Sequence, residues 1–184
     1  MRKILIASTL AAALAASSIP ANAYAEEEGI HAAGGLLDTS SHERPQQFSI
    51  FGMLYGYGSG IGVAGRYVLP IVKDGFIPTL NDSVELEFGA DIWYGWGWGY
   101  YSYFGTSANY LGVAPVAEGT WTFHFFPKFD AYAKLGLGVA FGTNGYGPYF
   151  YPVGSAGINY RFADRLAFRA EVGNHLRAGL SFAF

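Results

Sequence analysis

Hydrophobic and polar residues alternate along most of this chain, from about residue 47 to the C-terminus. In the stretch SVELEFGADIWYGW, apolar side chains occupy every second position from Val84 to Tyr94, and the positions between them, which form the opposite face, hold Glu85, Glu87, Gly89, Asp91 and Trp93. A period of two residues is typical of β-strands, in which successive side chains point to opposite faces. The pattern therefore predicts an all-β protein.

Eight segments carry this alternation, separated by short runs of glycine, proline and polar residues. The first segment is apolar at nearly every position, so the sequence does not distinguish its two faces. An even number of strands, each long enough for a tilted crossing of about 9–11 residues, is typical of bacterial membrane barrels. The predicted strands are 47–57, 60–70, 83–96, 108–126, 130–142, 151–162, 165–173 and 175–184.

In the other seven segments, one face is large and apolar, whereas the opposite face carries small, polar and charged residues. A soluble sandwich would bury the bulky face and expose the polar face to water. A narrow barrel in lipid reverses this, with apolar side chains outward and polar side chains in the lumen. We therefore predict an eight-stranded antiparallel up-and-down transmembrane β-barrel over residues 47–184, with a bulge at Pro115.

Composition agrees with this class and excludes several others. Aromatic residues make up 18% of the 184 residues and charged residues only 14%, against roughly 25% charged residues in an average domain. The absence of cysteine excludes disulfides and thiolate metal sites. The net charge of −3 gives no reason to expect a nucleic-acid partner. The histidines and acids show no metal-ligand spacing, so we expect no metal and no cofactor.

The N-terminus has the pattern of a secretory signal peptide. Arg2 and Lys3 precede a short apolar core over 4–16, and small residues allow cleavage after Ala23 or Ala25. No other window has the roughly 18 apolar residues that a spanning helix needs. We expect residues 1–25 to be a signal peptide and residues 26–46 to be a flexible periplasmic tail.

Aromatic residues are concentrated in IWYGWGWGYYSYFG, which contains three of the four Trp residues. Amphipathic rings are enriched where membrane barrels meet the two interfaces, so we predict an aromatic girdle at each end. The predicted outer girdle contains Tyr94, Trp96 and Trp98, and the periplasmic one contains Trp121, Phe123, Phe125, Tyr160, Phe162 and Phe182. An alternative role, as a contact surface beyond the membrane, applies to Tyr100, Tyr101, Tyr103 and Phe104.

The inward positions carry five acidic and five basic residues. An eight-stranded barrel is just wide enough for side chains to fill it, and an unpaired buried charge is costly. We therefore predict a closed lumen held by ion pairs, with a narrow ion path lined by the same residues as the alternative. The predicted network is Arg66, Glu85, Glu87, Asp91, Glu118, Lys134, Arg161, Arg169, Glu171 and Arg177.

The C-terminal strand carries a family resemblance. Phe184 is terminal, and apolar residues precede it at every second position back to Leu176. This resembles the terminal strand of Gram-negative outer-membrane proteins, and with eight strands the chain resembles the small OmpA/OmpX-type barrels over 47–184. The resemblance implies an outer-membrane location with lipid around the barrel, periplasmic termini, and recognition by the barrel-assembly machinery through Phe184.

Some small outer-membrane barrels are enzymes that modify lipid A. A deacylase of this kind places a serine two residues after a histidine, but Phe126 and Arg177 occupy that position after His124 and His175. We expect no enzyme, and we expect His124 to be a lumen residue near Glu118. The predicted function is a structural or surface-interaction role with an unidentified extracellular ligand; the alternatives are a small pore and, less favoured, a lipid-modifying enzyme.

Overall fold

The fold is seen in a computed structural model, which describes residues 29–56, 60–96, 109–143 and 148–184. After a 3-10 helix over Gly29–His31, each strand pairs antiparallel with the next, and the last strand pairs with the first to close a barrel. The predicted eight-stranded antiparallel barrel is confirmed. The strands are β1 (Gln47–Tyr55), β2 (Gly60–Val72), β3 (Asp82–Gly95), β4 (Tyr110–Phe126), β5 (Phe129–Gly142), β6 (Tyr149–Ala163), β7 (Leu166–Gly173) and β8 (His175–Ala183).

Two local predictions differ from the structure. β2 continues through an irregularity between Pro70 and Val72, so its connection to β3 is shorter than the sequence indicated. The predicted bulge at Pro115 is wrong, because this residue pairs with Ala90 without any shift in register. Its side chain faces outward on β4, where the missing N–H leaves the pairing with β3 in register.

The two faces of β1 are now distinguished. Phe48, Ile50 and Leu54 are exposed on the outer surface, whereas Phe51 and Met53 are buried in the lumen. Met53 belongs to a cluster of buried apolar residues, and the Phe51 ring lies 5.5 Å from the Arg169 guanidinium. Local alternation does not reveal these partners, which come from other strands.

The outer surface of the barrel is apolar, whereas charged side chains are buried inside it. Leu135 on β5 and Phe150 on β6 are 73% and 79% exposed, while Arg66 and Asp91 are fully buried. Such an arrangement needs lipid around it, since the outer wall is a continuous apolar surface. Among the described residues, no helix is long and apolar enough to cross a membrane.

Residues 29–46, which we expected to form a flexible tail, make specific contacts with one end of the barrel. The Leu36 amide donates to the Phe125 carbonyl at 3.3 Å, and the Asn81 amide donates to the Leu36 carbonyl at 2.7 Å. The Arg44 guanidinium also donates to the Asn81 side chain. We call this segment the N-terminal strap and the end it covers, where Phe184 also lies, the terminal end. The sequence lacked any period here because turns, not strands, make these contacts.

Candidate functional site in the barrel lumen

Charged side chains from six strands meet in the middle of the lumen. They form one connected set of salt bridges with N···O distances from 2.6 to 3.4 Å. Four are cationic and four are anionic, so the set is neutral. We call it the ion-pair network; its members are Arg66, Glu87, Asp91, Glu118, Lys134, Arg169, Glu171 and Arg177.

One half of the network is built around two arginines. The Arg66 guanidinium lies 2.7 Å from Asp91 and 2.8 Å from Glu118. Arg177 then joins Asp91, at 2.6 Å, to Glu171, at 3.2 Å. Because β2, β3, β4, β7 and β8 each contribute a charge, this half ties together strands that are not neighbours in the sheet.

The other half is built around Lys134 and Arg169. The Lys134 ammonium lies 2.6 Å from both Glu87 and Glu171. Arg169 donates to Glu87 at 2.9 Å and lies 4.7 Å from the centre of the Tyr132 ring. Charge-assisted hydrogen bonds and a cation–π contact therefore hold both cations in the middle of the lumen.

Two of the ten predicted lumen charges lie outside the network. The Glu85 carboxylate accepts hydrogen bonds from Ser83 and Thr122 instead of pairing with a cation. Arg161 pairs with Asp130 at 3.3 Å and is 38% exposed at the terminal end. Sequence alternation placed both on the inward face, but it does not show the height of a residue along the lumen.

Between the ion-pair network and the end opposite the strap, the lumen is filled by rings and aliphatic groups. The rings of Tyr55 and Trp93 stack with their centroids 4.6 Å apart and their planes within 4°, and the His175 ring also stacks on Tyr55 at 4.6 Å. We call this set the aromatic cluster; it consists of Met53, Trp93, Ala114, Val116, Ala140 and Val153 with Tyr55, Tyr110 and Tyr151 against it. The sequence did not predict it, although the alternation placed Trp93 inward.

On the terminal side of the network the lumen opens into a small cavity of about 90 Å³. Its wall includes Arg44 of the strap as well as Glu85, His124 and Asp130 from the strands. A polar cavity of this size can hold ordered water. We call it the vestibule.

Four buried side chains of the terminal end form a row of hydrogen bonds. The Ser83 hydroxyl lies 2.5 Å from Glu85 and 2.9 Å from His124 Nε2, and His124 Nδ1 lies 2.7 Å from Asp130. The expectation that His124 lies near Glu118 is therefore replaced by contacts with Ser83 and Asp130. The pairing of β3, β4 and β5 sets these contacts. Sequence reasoning missed Ser83 because it lies 41 residues from His124, and missed Asp130 although it lies only six residues away, directly opposite His124 in the β4–β5 hairpin.

The order serine, histidine, aspartate is also that of a catalytic triad. Here, however, Ser83 is fully buried and its hydroxyl is already in contact with Glu85. A nucleophile must reach a substrate carbonyl, and this oxygen is enclosed. No group of three or more His, Asp or Glu suited to a metal ion occurs in the described ranges.

The predicted girdle residues lie on the outer surface where the structure describes them. Tyr94, Trp121, Tyr160, Phe162 and Phe182 are exposed, and Trp96, Phe123 and Phe125 are half-buried. Trp98 and the four aromatic residues of the predicted contact surface, Tyr100, Tyr101, Tyr103 and Phe104, lie outside the described residues.

Among solved structures, the chain is similar to a barrel from the de novo design of transmembrane β-barrels, with a TM-score of 0.50 and 18% identity over 79% of this chain and 100% of that chain. The outer-membrane protein Ail of Yersinia pestis gives a TM-score of 0.45 at 13% identity over 77% of this chain and 100% of Ail. Neisserial surface protein A gives a TM-score of 0.42 at 12% identity over 76% of this chain and 94% of that protein.

No protein-family model matches the chain, and no curated protein does. With the closed eight-stranded sheet, the likeness to the designed barrel confirms the fold expected from the resemblance to small OmpA/OmpX-type barrels. It shows the fold of a transmembrane β-barrel and nothing further about the role.

Proposed function

We propose that this protein is an integral outer-membrane barrel whose lumen is closed, and that its role is structural or one of surface interaction. The observation that carries the proposal is the filled lumen: the ion-pair network occupies the middle and the aromatic cluster occupies the end opposite the strap. A polar solute would have to break several buried pairs to pass, and each broken buried pair costs several kcal/mol.

The outer wall supports a location in a bacterial outer membrane. Its exposed apolar side chains form the surface that lipid covers, and the alternation persists to Phe184, which is itself 64% exposed. The signal peptide over residues 1–25 would direct the chain across the inner membrane, and the terminal strand would present Phe184 to the barrel-assembly machinery. In this orientation the terminal end and the strap are periplasmic.

Surface interaction would then involve the connections at the opposite end, near 97–107 and 143–150. A variant with serine at four aromatic positions of the first connection, Tyr100, Tyr101, Tyr103 and Phe104, tests the interaction. Cells that display it are expected to lose attachment to the extracellular ligand, while the barrel still assembles. Attachment at the wild-type level would remove this loop from the proposal. We propose no enzymatic role, because Ser83, the serine that hydrogen-bonds a histidine in the part of the chain that the structure describes, is enclosed.

Single-channel recording in a planar bilayer tests the closed lumen against the alternative of a small pore. The folded barrel, verified by heat-modifiable gel mobility, is expected to give no steady conductance. A porin of about 16 strands, which has an aqueous channel, serves as the positive control in the same bilayers. Reproducible openings that change when Arg169 is substituted with methionine would overturn the closed lumen and favour transport.

A further inference from the structure

The row of hydrogen bonds at the terminal end contains three contacts that each need a hydrogen. They join Glu85 Oε1 to Ser83 Oγ, Ser83 Oγ to His124 Nε2, and His124 Nδ1 to Asp130 Oδ1, at 2.5, 2.9 and 2.7 Å. All four residues are buried. At these distances each pair of heavy atoms is a hydrogen bond, with one hydrogen between donor and acceptor.

The side chains in their ordinary neutral-pH states bring only two hydrogens. Ser83 has one hydroxyl hydrogen, a neutral His124 ring has one N–H, and the two carboxylates have none. The remaining carboxylate oxygens are occupied, since Glu85 Oε2 accepts from Thr122 at 2.8 Å and Asp130 Oδ2 accepts from Asn159 at 2.9 Å. Two buried acceptors facing each other without a hydrogen are costly, so the row is complete only with one more proton.

We propose that Glu85, Ser83, His124 and Asp130 form a binding site for one shared proton. Three arrangements satisfy all three contacts: an imidazolium at His124 with two carboxylates, a neutral His124 protonated on Nδ1 with a carboxylic acid at Glu85, or a neutral His124 protonated on Nε2 with a carboxylic acid at Asp130. The first two interconvert when His124 Nε2 gives its proton to Ser83 Oγ and Oγ passes its own hydrogen to Glu85 Oε1. The first and third interconvert when His124 Nδ1 gives its proton to Asp130. The proton therefore belongs to the row and not to one residue.

The charges around the row favour holding this proton between Glu85 and His124. Arg161 lies 3.3 Å from Asp130 and stabilises it as a carboxylate. Arg169, which faces Glu85, is already paired with Glu87 at 2.9 Å. The other charged residues that face the row across the vestibule belong to the strap and to the turn between β6 and β7: Glu43, Arg44, Asp164 and Arg165.

Loss of the proton has a defined structural consequence. The Ser83 hydroxyl can then serve either Glu85 or His124, so one contact of the row must open, and the vestibule gains one negative charge. The vestibule is thus a proton-responsive mouth at the terminal end of a lumen that the ion-pair network closes further in.

Nuclear magnetic resonance of the folded protein in lipid nanodiscs tests the site directly. Ring ¹⁵N shifts report protonation of His124, and the side-chain ¹³C shift of Glu85 reports protonation of its carboxyl group. About one pH unit above the ordinary histidine pKa of about 6.5, we expect one of the two groups still to hold the proton. A neutral His124 together with ionised carboxyl groups at both Glu85 and Asp130 at that pH, the latter read from the Asp130 side-chain ¹³C shift, would overturn the proposal. His31→Gln, His42→Gln and His175→Gln variants remove the other three rings of the chain, so the signals left in the triple variant belong to His124.

The Glu85→Gln variant provides a second, independent measurement. Its amide N–H₂ can donate to Ser83 permanently, so Ser83 donates to a neutral His124 and the row is complete without the shared proton. In the wild type, the unfolded chain loses its histidine proton above about pH 6.5 while the folded row keeps its own. The folded-to-unfolded ratio should therefore fall by up to about tenfold per pH unit until the row deprotonates.

Glu85→Gln is expected to remove this fall in urea unfolding from lipid vesicles, whereas His175→Gln should leave it in place. If wild type and Glu85→Gln have the same dependence on pH, the row binds no shared proton. Because the conductance of the barrel is not measured in these experiments, the shared proton and the closed lumen can fail independently.

Discussion

The middle of the lumen and the end opposite the strap are both filled by side chains, but of opposite kinds. In the ion-pair network every acid contacts at least one cation, as Glu118 contacts Arg66. In the aromatic cluster Trp93 and Tyr55 are held by stacked rings. A charged filling depends on specific partners, whereas an apolar filling depends on shape. The first is therefore sensitive to the loss of one partner and the second to a change of volume.

The largest effect is expected where a substitution leaves one charge of the network without a partner. Arg66→Met removes the cation that lies 2.8 Å from Glu118, and no other salt bridge to Glu118 is seen among the described residues. Asp91 keeps its contact with Arg177 at 2.6 Å. Since an uncompensated buried charge costs about 3–5 kcal/mol, urea unfolding in lipid vesicles should show a loss of that size.

The double variant Arg66→Met/Glu118→Gln is the matched control. It removes both charges of the pair, so it should regain roughly 0.5–3 kcal/mol relative to the sum of the two single losses. If the double loss equals the sum, the two side chains are not coupled and the network does not stabilise the lumen through this pair.

A smaller effect is expected in the aromatic cluster, where the change is one of volume. The Trp93 ring lies over Gly112, so a Cβ added at that glycine would meet the ring at 2.3 Å. Gly112→Ala must therefore displace the indole from its stack with Tyr55, at a cost of roughly 1–3 kcal/mol.

Gly119→Ala, on the same strand, is the control because its added Cβ would meet nothing closer than 3.8 Å. Its unfolding free energy should lie within about 0.5 kcal/mol of the wild-type value. Tryptophan fluorescence and the unfolding midpoint measure both variants. Equal midpoints for Gly112→Ala and wild type would mean that the end opposite the strap is loosely packed, contrary to the comparison above.

The same two regions show what the sequence could predict. Alternation with a period of two residues identified the barrel and the inward face, because a strand in a two-sided wall must follow that period. It therefore placed Arg66, Glu87 and Trp93 inward. It contained no information about which inward residues meet, since partners such as Lys134 and Glu171 come from strands that are not adjacent in the sheet.

Contacts that depend on height along the lumen could not be predicted for the same reason. Glu85 and Arg161 lie on the inward face, as alternation predicted, but they line the vestibule and make no salt bridge with the network among the described residues. Ser83 and Asp130 were not recognised as partners of His124, because their contact depends on the pairing of β3, β4 and β5. The contacts of the strap were missed because a segment of turns has no period.

The smallest expected effect concerns the strap, which contacts the barrel through a few hydrogen bonds at its surface. Asp38 organises it: the carboxylate accepts from the Ser40 hydroxyl at 2.6 Å and from the Gly34 amide, also at 2.6 Å. These hydrogen bonds, that of Ser40 first, hold the pKa of Asp38 well below its usual value. The stabilisation of the folded strap by the Asp38 carboxylate is therefore complete above the ordinary aspartate pKa of about 3.9. It is lost as the pH falls from there toward the lower pKa of Asp38 in the folded protein.

Amide hydrogen exchange across that acidic range should show faster exchange in 29–46 while the peptides of β4 and β5 remain protected. Asp38→Asn should show the faster exchange already at neutral pH, because the amide group offers one acceptor oxygen where the carboxylate offers two. Glu43→Gln removes the same charge from the same segment and should leave the exchange unchanged. If Asp38→Asn also leaves the exchange unchanged, the backbone hydrogen bonds of the strap with Asn81 and Phe125 suffice to hold it on the barrel. The charge of Asp38 would then not be needed to attach the strap.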